Sequence, residues 1–208
     1  MVKIAICGKM ASGKTTLAEG VVTNYDFFRR YSLADAVKQF ANFVYDIPEG
    51  VKDRVAYQKI GDGARKQLYE DVWIDTLIRQ IENNNRFYDM NGRDFGLDWE
   101  TPTPYCIVDD VRYLNEVIKL KAAGWLMVKI DISEELQIER LKETYPENWE
   151  THVSARHHAS EAEVDEIPNE LFDLVVSAEN GGAPYQALEN LIIDNENRGH
   201  QLPEYSQR

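Results

Sequence analysis

The sequence predicts an α/β fold built on a mostly parallel five-stranded sheet, and three observations support this prediction. Strand-like apolar runs alternate with amphipathic helical segments along the chain. Residues 125–132 are apolar at nearly every position, as in strands that helices cover on both faces. A glycine-rich loop, GKMASGKT at residues 8–15, stands between the first apolar run and the first helical segment.

The first half of the chain is predicted to contain two strands and four helical segments. The Ile47-Pro48-Glu49-Gly50 stretch interrupts it after the second helix, and residues 84–104 are predicted to be a long surface loop. The strands are expected at residues 4–7 and 27–32, and the helices at residues 15–22, 36–45, 55–61 and 66–83.

The second half continues the alternation of strands and helices. Residues 144–163 are polar and irregular, which is typical of a lid that closes over a bound ligand. The last residues, 194–208, are predicted to be a loose polar tail. The strands are expected at residues 105–108, 125–132 and 171–176, and the helices at residues 115–123, 133–143 and 184–193.

Composition narrows the classes of function. Lys and Arg number 23 against 36 Asp and Glu, a formal charge of −13, whereas a nucleic-acid-binding protein needs a basic face. No apolar run approaches the ~18 residues of a membrane span, and the first strand begins too early for a signal peptide. We therefore expect a cytoplasmic protein without nucleic-acid or membrane partners, in which Cys7 and Cys106 are small buried thiols.

The loop at residues 8–15 has the pattern G-x-x-x-x-G-K-T, which is typical of a polyphosphate-binding loop. Gly8 and Gly13 permit backbone angles at which the loop N–H groups turn inward, toward phosphate oxygens. Lys14 is expected to reach the β- and γ-phosphates of a nucleotide, and the Thr15 hydroxyl to ligate Mg²⁺. The predicted nucleotide-binding residues are Gly8, Lys9, Ala11, Ser12, Gly13, Lys14, Thr15 and Thr16.

Ligands in open parallel sheets lie beyond the carboxyl ends of the strands. That edge collects the phosphate loop, Asp35, residues 109–112 and the loop at residues 177–182. Asp109 and Asp110 follow a buried strand, where P-loop proteins place an acidic residue near Mg²⁺. Alternation along the strand directs one of the two toward the phosphate loop and the other away from it.

Phosphoryl transfer spreads negative charge, so cations are expected to converge on the site. The planar fork of Arg pairs with two phosphate oxygens at once. The candidates are Arg65, Arg112, Arg140 and Arg156, the last of them in the lid segment. His158 and Glu161 could form an acid–base pair, but a polar anchor for the lid is the preferred interpretation, because the attacking phosphate oxygen needs no strong base.

Asp35 has two interpretations. Its carboxylate could cap the helix at residues 36–45, or it could act with Lys38 on a second substrate near the phosphate loop.

Several segments resemble the bacteriophage deoxynucleoside monophosphate kinases. They are the phosphate loop, SLADAVK at residues 32–38, YQKIG at 57–61, VDDVRYLNE at 108–116 and HASE at 158–161. The resemblance covers most of residues 1–193 in the same order, and animal phosphomevalonate kinases are similar in the same segments. It implies a P-loop kinase-like three-layer sandwich, with a helical acceptor-binding region at about 36–104 and a lid at about 144–163 in one domain.

The resemblance also implies roles for individual residues. Asp110 and Arg112 match the Asp and Arg at the end of the third strand of the family, so Asp110 is favoured over Asp109 as the metal-shell carboxylate beside Thr15. Arg140 and Arg156 would belong to the lid. Asp35, Lys38 and Arg65 would fall near the acceptor nucleotide. Together with the motifs, this gives as predicted catalytic residues Lys14, Asp110, Arg112, Arg140 and Arg156. The predicted acceptor-binding residues are Asp35, Lys38, Arg65, Arg112 and, as aromatics that could stack on a base, Tyr69 and Trp73.

The function predicted from the sequence is Mg²⁺-dependent transfer of the γ-phosphoryl group of ATP to a deoxynucleoside 5′-monophosphate. One alternative is a kinase of another phosphorylated small molecule, such as phosphomevalonate; aromatic side chains such as Tyr57, Tyr69 or Trp73 in the acceptor cleft would favour a nucleotide. Another is a non-catalytic nucleotide-binding switch, although the guanine-reading Asn-Lys-x-Asp segment is absent from the sequence. The expected partner is a small nucleotide substrate, and the sequence does not decide whether the chain forms a homodimer. If the protein is phage-encoded, the expected location is the cytoplasm of the host cell.

Overall fold

The computed structural model describes residues 1–47, 53–94, 105–154 and 159–197, and within these ranges it contains five strands and nine α-helices. The strands are β1 (Lys3–Gly8), β2 (Phe28–Tyr31), β3 (Tyr105–Val111), β4 (Leu126–Asp131) and β5 (Leu174–Ser177). The helices are α1 (Lys14–Asn24), α2 (Leu33–Tyr45), α3 (Arg54–Gln67), α4 (Val72–Asp94), α5 (Leu114–Ala122), α6 (Glu134–Thr144), α7 (Trp149–Ser154), α8 (Ala159–Glu166) and α9 (Ala183–Asn197).

The five strands form one sheet in the order β2-β3-β1-β4-β5. The central strand β1 pairs in parallel with β3 and β4, and β4 pairs in parallel with β5. Ala5 lies beside Val108 on one side and Met127 on the other, and the β1–β3 register shifts between Ala5 and Cys7. The predicted fold class, an α/β sandwich built on a five-stranded and mostly parallel sheet, is confirmed.

The chain divides into two compact units, Met1–Arg30 with Pro104–Arg208, and Tyr31–Thr103. In the first unit, apolar side chains of α1 and α9 pack on one face of the sheet, where the strands bury their Ile and Val side chains. Val117 and Leu120 of α5 are also fully buried. Cys7 and Cys106 are buried free thiols, as predicted, and burial raises the pKa of each to about 12.

The second unit is helical in its described part. Val37 of α2 packs with Val72 and Trp73 of α4, and the apolar side chains of α3 cover this cluster. The indole Nε1 of Trp73 donates a hydrogen bond to the carbonyl oxygen of Gly61 at 3.0 Å. Trp73 therefore belongs to the core of this unit.

Helix α4 corrects two predicted boundaries. The helix expected at residues 66–83 begins at Val72, since residues 66 and 67 belong to the end of α3. Helix α4 then continues to Asp94, so residues 84–94 of the predicted surface loop are helical, and the rest of that loop lies outside the described residues. The run of Asn residues did not end the helix, since Asn costs only a few tenths of a kcal/mol per residue relative to good helix formers.

The N-cap interpretation of Asp35 is wrong. Helix α2 begins at Leu33, its N-cap is Ser32, and Asp35 lies in the first helical turn, where its backbone N–H donates to the Ser32 carbonyl oxygen at 3.2 Å. An acidic residue in a first turn still complements the positive end of the helix dipole. The side chain of Asp35 is paired with Lys38, its partner one turn later, at 2.9 Å.

Three boundaries in the second half also differ from the predictions. The lid segment is not irregular, because α7 and the start of α8 lie within residues 144–163. The fifth strand begins at Leu174 rather than at residue 171, since Asn169–Leu171 forms a 3₁₀ turn after Pro168. Helix α9 continues to Asn197 and therefore includes the first four residues of the predicted tail. Among the described residues, none of the helices has the length and apolar character needed to cross a bilayer.

Candidate active site

The phosphate loop connects β1 to α1 and has the backbone that its glycines predict. A Cβ atom at Gly8 would lie 2.8 Å from both the Ile130 carbonyl oxygen and the Ser12 Oγ, so only glycine fits there. Ala11 and Gly13 have positive φ angles of 63° and 97°. Left-handed residues in such a turn direct successive N–H groups into one concavity, which is the geometry of an anion-binding nest.

The start of α1 is open to a ligand. Its N-cap residue Gly13 makes no side-chain cap, and its first turn contains no acidic residue. The first N–H groups of a helix have no intrahelical partner, and the helix dipole makes this end positive. The loop and the start of α1 therefore form a site for a polyphosphate.

Lys14 supplies a buried positive charge in this loop. Its side chain is only 7% exposed, and its Nζ donates to the Lys9 carbonyl oxygen at 2.5 Å. Burial, and then the positive charge of Arg112, lower the pKa of Lys14 to about 8, against the opposing effect of the Glu161 carboxylate. A phosphate group beside Lys14 would favour the charged ammonium form.

The carboxylate that meets the phosphate loop belongs to Asp109. Asp109 is 2% exposed, and its Oδ2 accepts hydrogen bonds from the Thr15 hydroxyl at 2.6 Å and from Arg30 Nη2 at 2.9 Å. Among the described residues, its buried Oδ1 has no hydrogen-bond partner. The adjacent Asp110 is partly exposed and lines the same cavity, so the pairing with Thr15 falls on the carboxylate that the resemblance did not favour.

The Thr15–Asp109 pair fits a magnesium ion. Mg²⁺ takes oxygen ligands and is usually bound by one or two carboxylates together with substrate phosphates. A hydroxyl and a carboxylate lie in contact here, and the carboxylate keeps a buried oxygen without a partner in the described part of the chain. The residues present therefore have the chemistry that a metal at this position needs.

Helix α6 holds the outer side of the phosphate loop. Arg140 donates to the carbonyl oxygens of Ala11 and Ala178, each at 3.0 Å, and Gln137 Nε2 donates to the carbonyl oxygen of Met10 at 2.9 Å. Residues three apart on a helix share one face, so both side chains reach the loop together. Both side chains thus hold the loop through its carbonyl oxygens and not through its N–H groups.

Helix α8, in the predicted lid, also contacts the loop. The Glu161 carboxylate accepts a hydrogen bond from the Met10 backbone N–H at 2.7 Å and forms an ion pair with Arg112. Asp165 of the same helix pairs with Lys9 Nζ at 2.5 Å. Glu161 is thus a polar anchor, in agreement with the preferred interpretation, whereas His158 lies outside the described residues.

The phosphate loop, α1, the end of β3 and α6 line a cavity of about 830 Å³, a volume within the range of small-molecule sites. It extends from the phosphate loop, along α6, to the turn at Gly181 and to Tyr185 of α9. The predicted site residues that line it are Ala11, Ser12, Gly13, Lys14, Thr15, Thr16, Asp110, Arg112 and Arg140.

The other predicted residues are placed differently. Gly8 packs against Ile130, and Lys9 contributes its carbonyl oxygen to Lys14 and its ammonium to Asp165. Arg156 lies outside the described residues. The predicted acceptor residues other than Arg112 belong to the second unit, where Trp73 is buried and Tyr69 is 46% exposed; they are Asp35, Lys38, Arg65, Tyr69 and Trp73.

Three contributors were missed by sequence reasoning. Arg30 lies near the end of β2, and the rule that ligands lie beyond strand ends could have found it. Gln137 precedes Arg140 by three residues on one helical face, a spacing that is visible in the sequence. The pairing of Asp165 with Lys9 carries no signal in the sequence, because it depends on how α8 packs.

Comparison with known proteins supports the fold and identifies no substrate. No family model matches the sequence, and no curated protein matches it either. Among solved structures, TT1252 from Thermus thermophilus is similar with a TM-score of 0.54 and 16% identity, over 93% of this chain and 97% of that one. The tunicamycin resistance protein of Deinococcus radiodurans is similar with a TM-score of 0.51 and 14% identity, over 93% and 95% of the two chains. At these identities the similarity shows a shared fold.

Proposed function

We propose that this protein transfers the γ-phosphoryl group of ATP to a deoxynucleoside 5′-monophosphate, with Mg²⁺ as the cofactor. The observation that carries the proposal is the buried ammonium of Lys14 inside an open phosphate loop, at the wall of a cavity of about 830 Å³. The second support is the resemblance of five sequence segments to the phage deoxynucleoside monophosphate kinases.

The residues of the loop would bind the triphosphate of ATP. Inward N–H groups at residues 11–15 and the start of α1 would bind β- and γ-phosphate oxygens, and Lys14 would neutralise part of their charge. The Nη1 atom of Arg140 lies 3.7 Å from the point where a side chain at position 13 would place its Cβ atom. The guanidinium is therefore close enough to add positive charge to the same region. The nucleoside would extend along the cavity toward Tyr185.

Thr15 and Asp109 would hold the magnesium ion. When bound, Mg²⁺ neutralises charge on the phosphates and fixes their orientation. Arg30 donates to the same oxygen of Asp109 as Thr15 does, and so keeps this carboxylate oriented toward the hydroxyl. Asp110 remains the alternative that the resemblance favours, and the Mg²⁺ dependence of Asp109→Asn and of Asp110→Asn distinguishes the two carboxylates.

The predicted acceptor-binding residues would divide the work between the phosphate and the nucleoside of the monophosphate. Arg112 and Arg65 would position its phosphate, and Asp35 and Lys38 would lie near the nucleotide, as the resemblance implies. Tyr69 would stack on the base, whereas Trp73, the other predicted aromatic residue, lies in the core of the second unit. An oxygen of the acceptor phosphate attacks the γ-phosphorus, the bond to the β,γ-bridging oxygen breaks, and that oxygen leaves with its electron pair on ADP. Alignment of the reactants can contribute ~7–11 kcal/mol to such a step.

The proposal is tested by ADP release from Mg·ATP with single acceptors: dAMP, dGMP, dCMP, dTMP, the ribonucleotides and phosphomevalonate. Stimulation by at least one deoxynucleotide, absent from Lys14→Ala, is the expected result. A response to phosphomevalonate alone would leave a kinase with another substrate. ATP binding without stimulation by any acceptor would indicate a non-catalytic nucleotide-binding protein.

A further inference from the structure

Three acidic side chains of helix α8 contact other elements, and two of them, Glu161 and Asp165, contact residues of the phosphate loop. Glu161 contacts the Met10 N–H and the Arg112 guanidinium, and Asp165 contacts Lys9 Nζ. Glu163 accepts a hydrogen bond from the backbone N–H of Leu114, in the first turn of α5, at 3.0 Å. The three are spaced by two residues each, and only Glu161 is buried.

The burial of Glu161 calls for a physical reason. Its side chain is 3% exposed, and an ionised carboxylate removed from water is costly unless several donors bind it. Both of its oxygens are used, Oε2 by the Met10 N–H and Oε1 by Arg112 Nη1. The carboxylate therefore joins a loop amide to a guanidinium that lines the phosphate cavity.

The charge of Glu161 also offsets two neighbouring cations. Arg112 lowers the pKa of the buried Lys14 ammonium, whereas Glu161 raises it. Without a counter-charge, two cations beside the same loop repel each other, and the flexible Arg112 side chain would turn toward water. A guanidinium has five N–H donors, so an Arg112 that gives one amino group to Glu161 keeps others for phosphate oxygens.

We propose that Glu161 is a positioning residue that fixes the Arg112 guanidinium at the wall of the phosphate cavity and anchors α8 to the phosphate loop. The kinetic part of this proposal rests on the proposed function, since Arg112 acts there on a phosphate group. The anchoring part depends only on the contacts of Glu161.

Glu161→Gln is the test variant, with Glu163→Gln as its matched control. Glutamine keeps the shape of the side chain and an oxygen for the Met10 N–H, but it removes the charge that holds Arg112. The control makes the same change on the same helix, at a carboxylate that contacts neither Arg112 nor the phosphate loop. Melting temperature verifies that both variants are folded.

The expected kinetic result is a change in kcat without a comparable change in the Kd of Mg·ATP. Glu161→Gln should lower kcat on the order of 10- to 100-fold through misplacement of Arg112, with the Kd of Mg·ATP within about threefold of the wild type. Glu163→Gln should retain the wild-type kcat. A merely structural role would instead lower the melting temperature and leave kcat unchanged, and equal kcat values in the two variants would overturn the positioning role.

A second measurement does not depend on turnover. In NMR spectra of the full-length chain, the Nε–H signal of Arg112, assigned with Arg112→Lys, should be sharp in the wild type and in Glu163→Gln but broadened in Glu161→Gln. Exchange of the Met10 amide should be slow in Glu161→Gln and faster in Glu161→Ala. An Arg112 signal that is unchanged in Glu161→Gln overturns the proposal even if no acceptor is turned over, whereas failure of the acceptor panel alone removes only the proposed function.

Discussion

Two adjacent carboxylates on β3 have different surroundings. Asp109 is buried and shares one oxygen between Thr15 and Arg30, while Asp110 is partly exposed at the cavity wall. Successive side chains of a strand point to opposite faces, so the two cannot have the same contacts. Only the observed register decides which carboxylate meets the phosphate loop.

Asp109→Asn should lower kcat on the order of 10- to 100-fold and raise the Mg²⁺ concentration needed for half-maximal activity. The amide keeps the shape of the carboxylate but loses the charge that would bind a divalent ion beside Thr15. Turnover is measured against Mg²⁺ concentration, with Asp110→Asn as the matched control, which should change kcat by no more than a factor of about two. The reverse order of the two variants would assign the metal to Asp110.

At the scale of secondary-structure elements, helix α9 contains a buried carboxyl group away from the phosphate site. Burial raises the pKa of Glu196 to about 7, and its Oε1 has no hydrogen-bond partner within the described ranges. The charge of Glu196 in turn contributes to the raised pKa values of Tyr25 and Tyr105. The ionised form of Glu196 therefore destabilises the folded chain.

Between about pH 4.5 and pH 7 the folded chain keeps a proton on Glu196 that the unfolded chain has released, so this group makes stability fall as pH rises through that range. Glu196→Gln should therefore raise the free energy of unfolding by about 1–3 kcal/mol at pH 8 and leave it nearly unchanged at pH 4.5. Urea unfolding of both chains at the two pH values measures the difference. A variant that is less stable than the wild type at pH 8 would contradict the assignment.

Two aromatic residues of the helical unit were predicted to bind the acceptor, and their surroundings differ. Trp73 at the start of α4 is 8% exposed and donates to the carbonyl oxygen of Gly61 in α3, whereas Tyr69 between these helices is 46% exposed. Burial with a satisfied indole N–H is typical of a core residue. Tyr69 has the exposure that a stacking residue needs.

Trp73→Phe should lower the free energy of unfolding by about 1–3 kcal/mol, because it leaves the Gly61 carbonyl without its buried donor. Tyr69→Ala should change stability by less than about 0.5 kcal/mol, yet raise the KM of the acceptor on the order of tenfold through lost base stacking. Thermal unfolding and acceptor titrations distinguish the two effects. A KM that is unchanged in Tyr69→Ala would remove this residue from the acceptor site.

At the scale of the whole molecule, sequence reasoning found the order of the elements and the phosphate loop. Periodicity gave the five strands because each is a short apolar run between polar turns, and the loop was recognisable because Gly8, Gly13 and Lys14 have roles fixed by local backbone geometry. Such features depend on neighbours in the sequence. They can be read without knowledge of packing.

The features that sequence reasoning missed depend on distant parts of the chain. The choice between Asp109 and Asp110 follows from the register of β3 beside β1, which shifts after Ala5. Helix α4 extends through a run of Asn because the low helix propensity of Asn costs too little free energy to end the helix there. The contact of Glu161 with Met10 joins residues 151 positions apart, and no local pattern predicts that distance.

The measurement that tests the central claim most directly is transfer of label from ATP radiolabelled in its γ-phosphate. In the presence of Mg²⁺ and one deoxynucleoside monophosphate, separation of the products should show the label in the deoxynucleoside diphosphate, with an equal amount of ADP. Lys14→Ala should transfer none. Label released only as inorganic phosphate, or label that stays in ATP with every nucleotide acceptor, would contradict the proposed transfer to a nucleoside monophosphate.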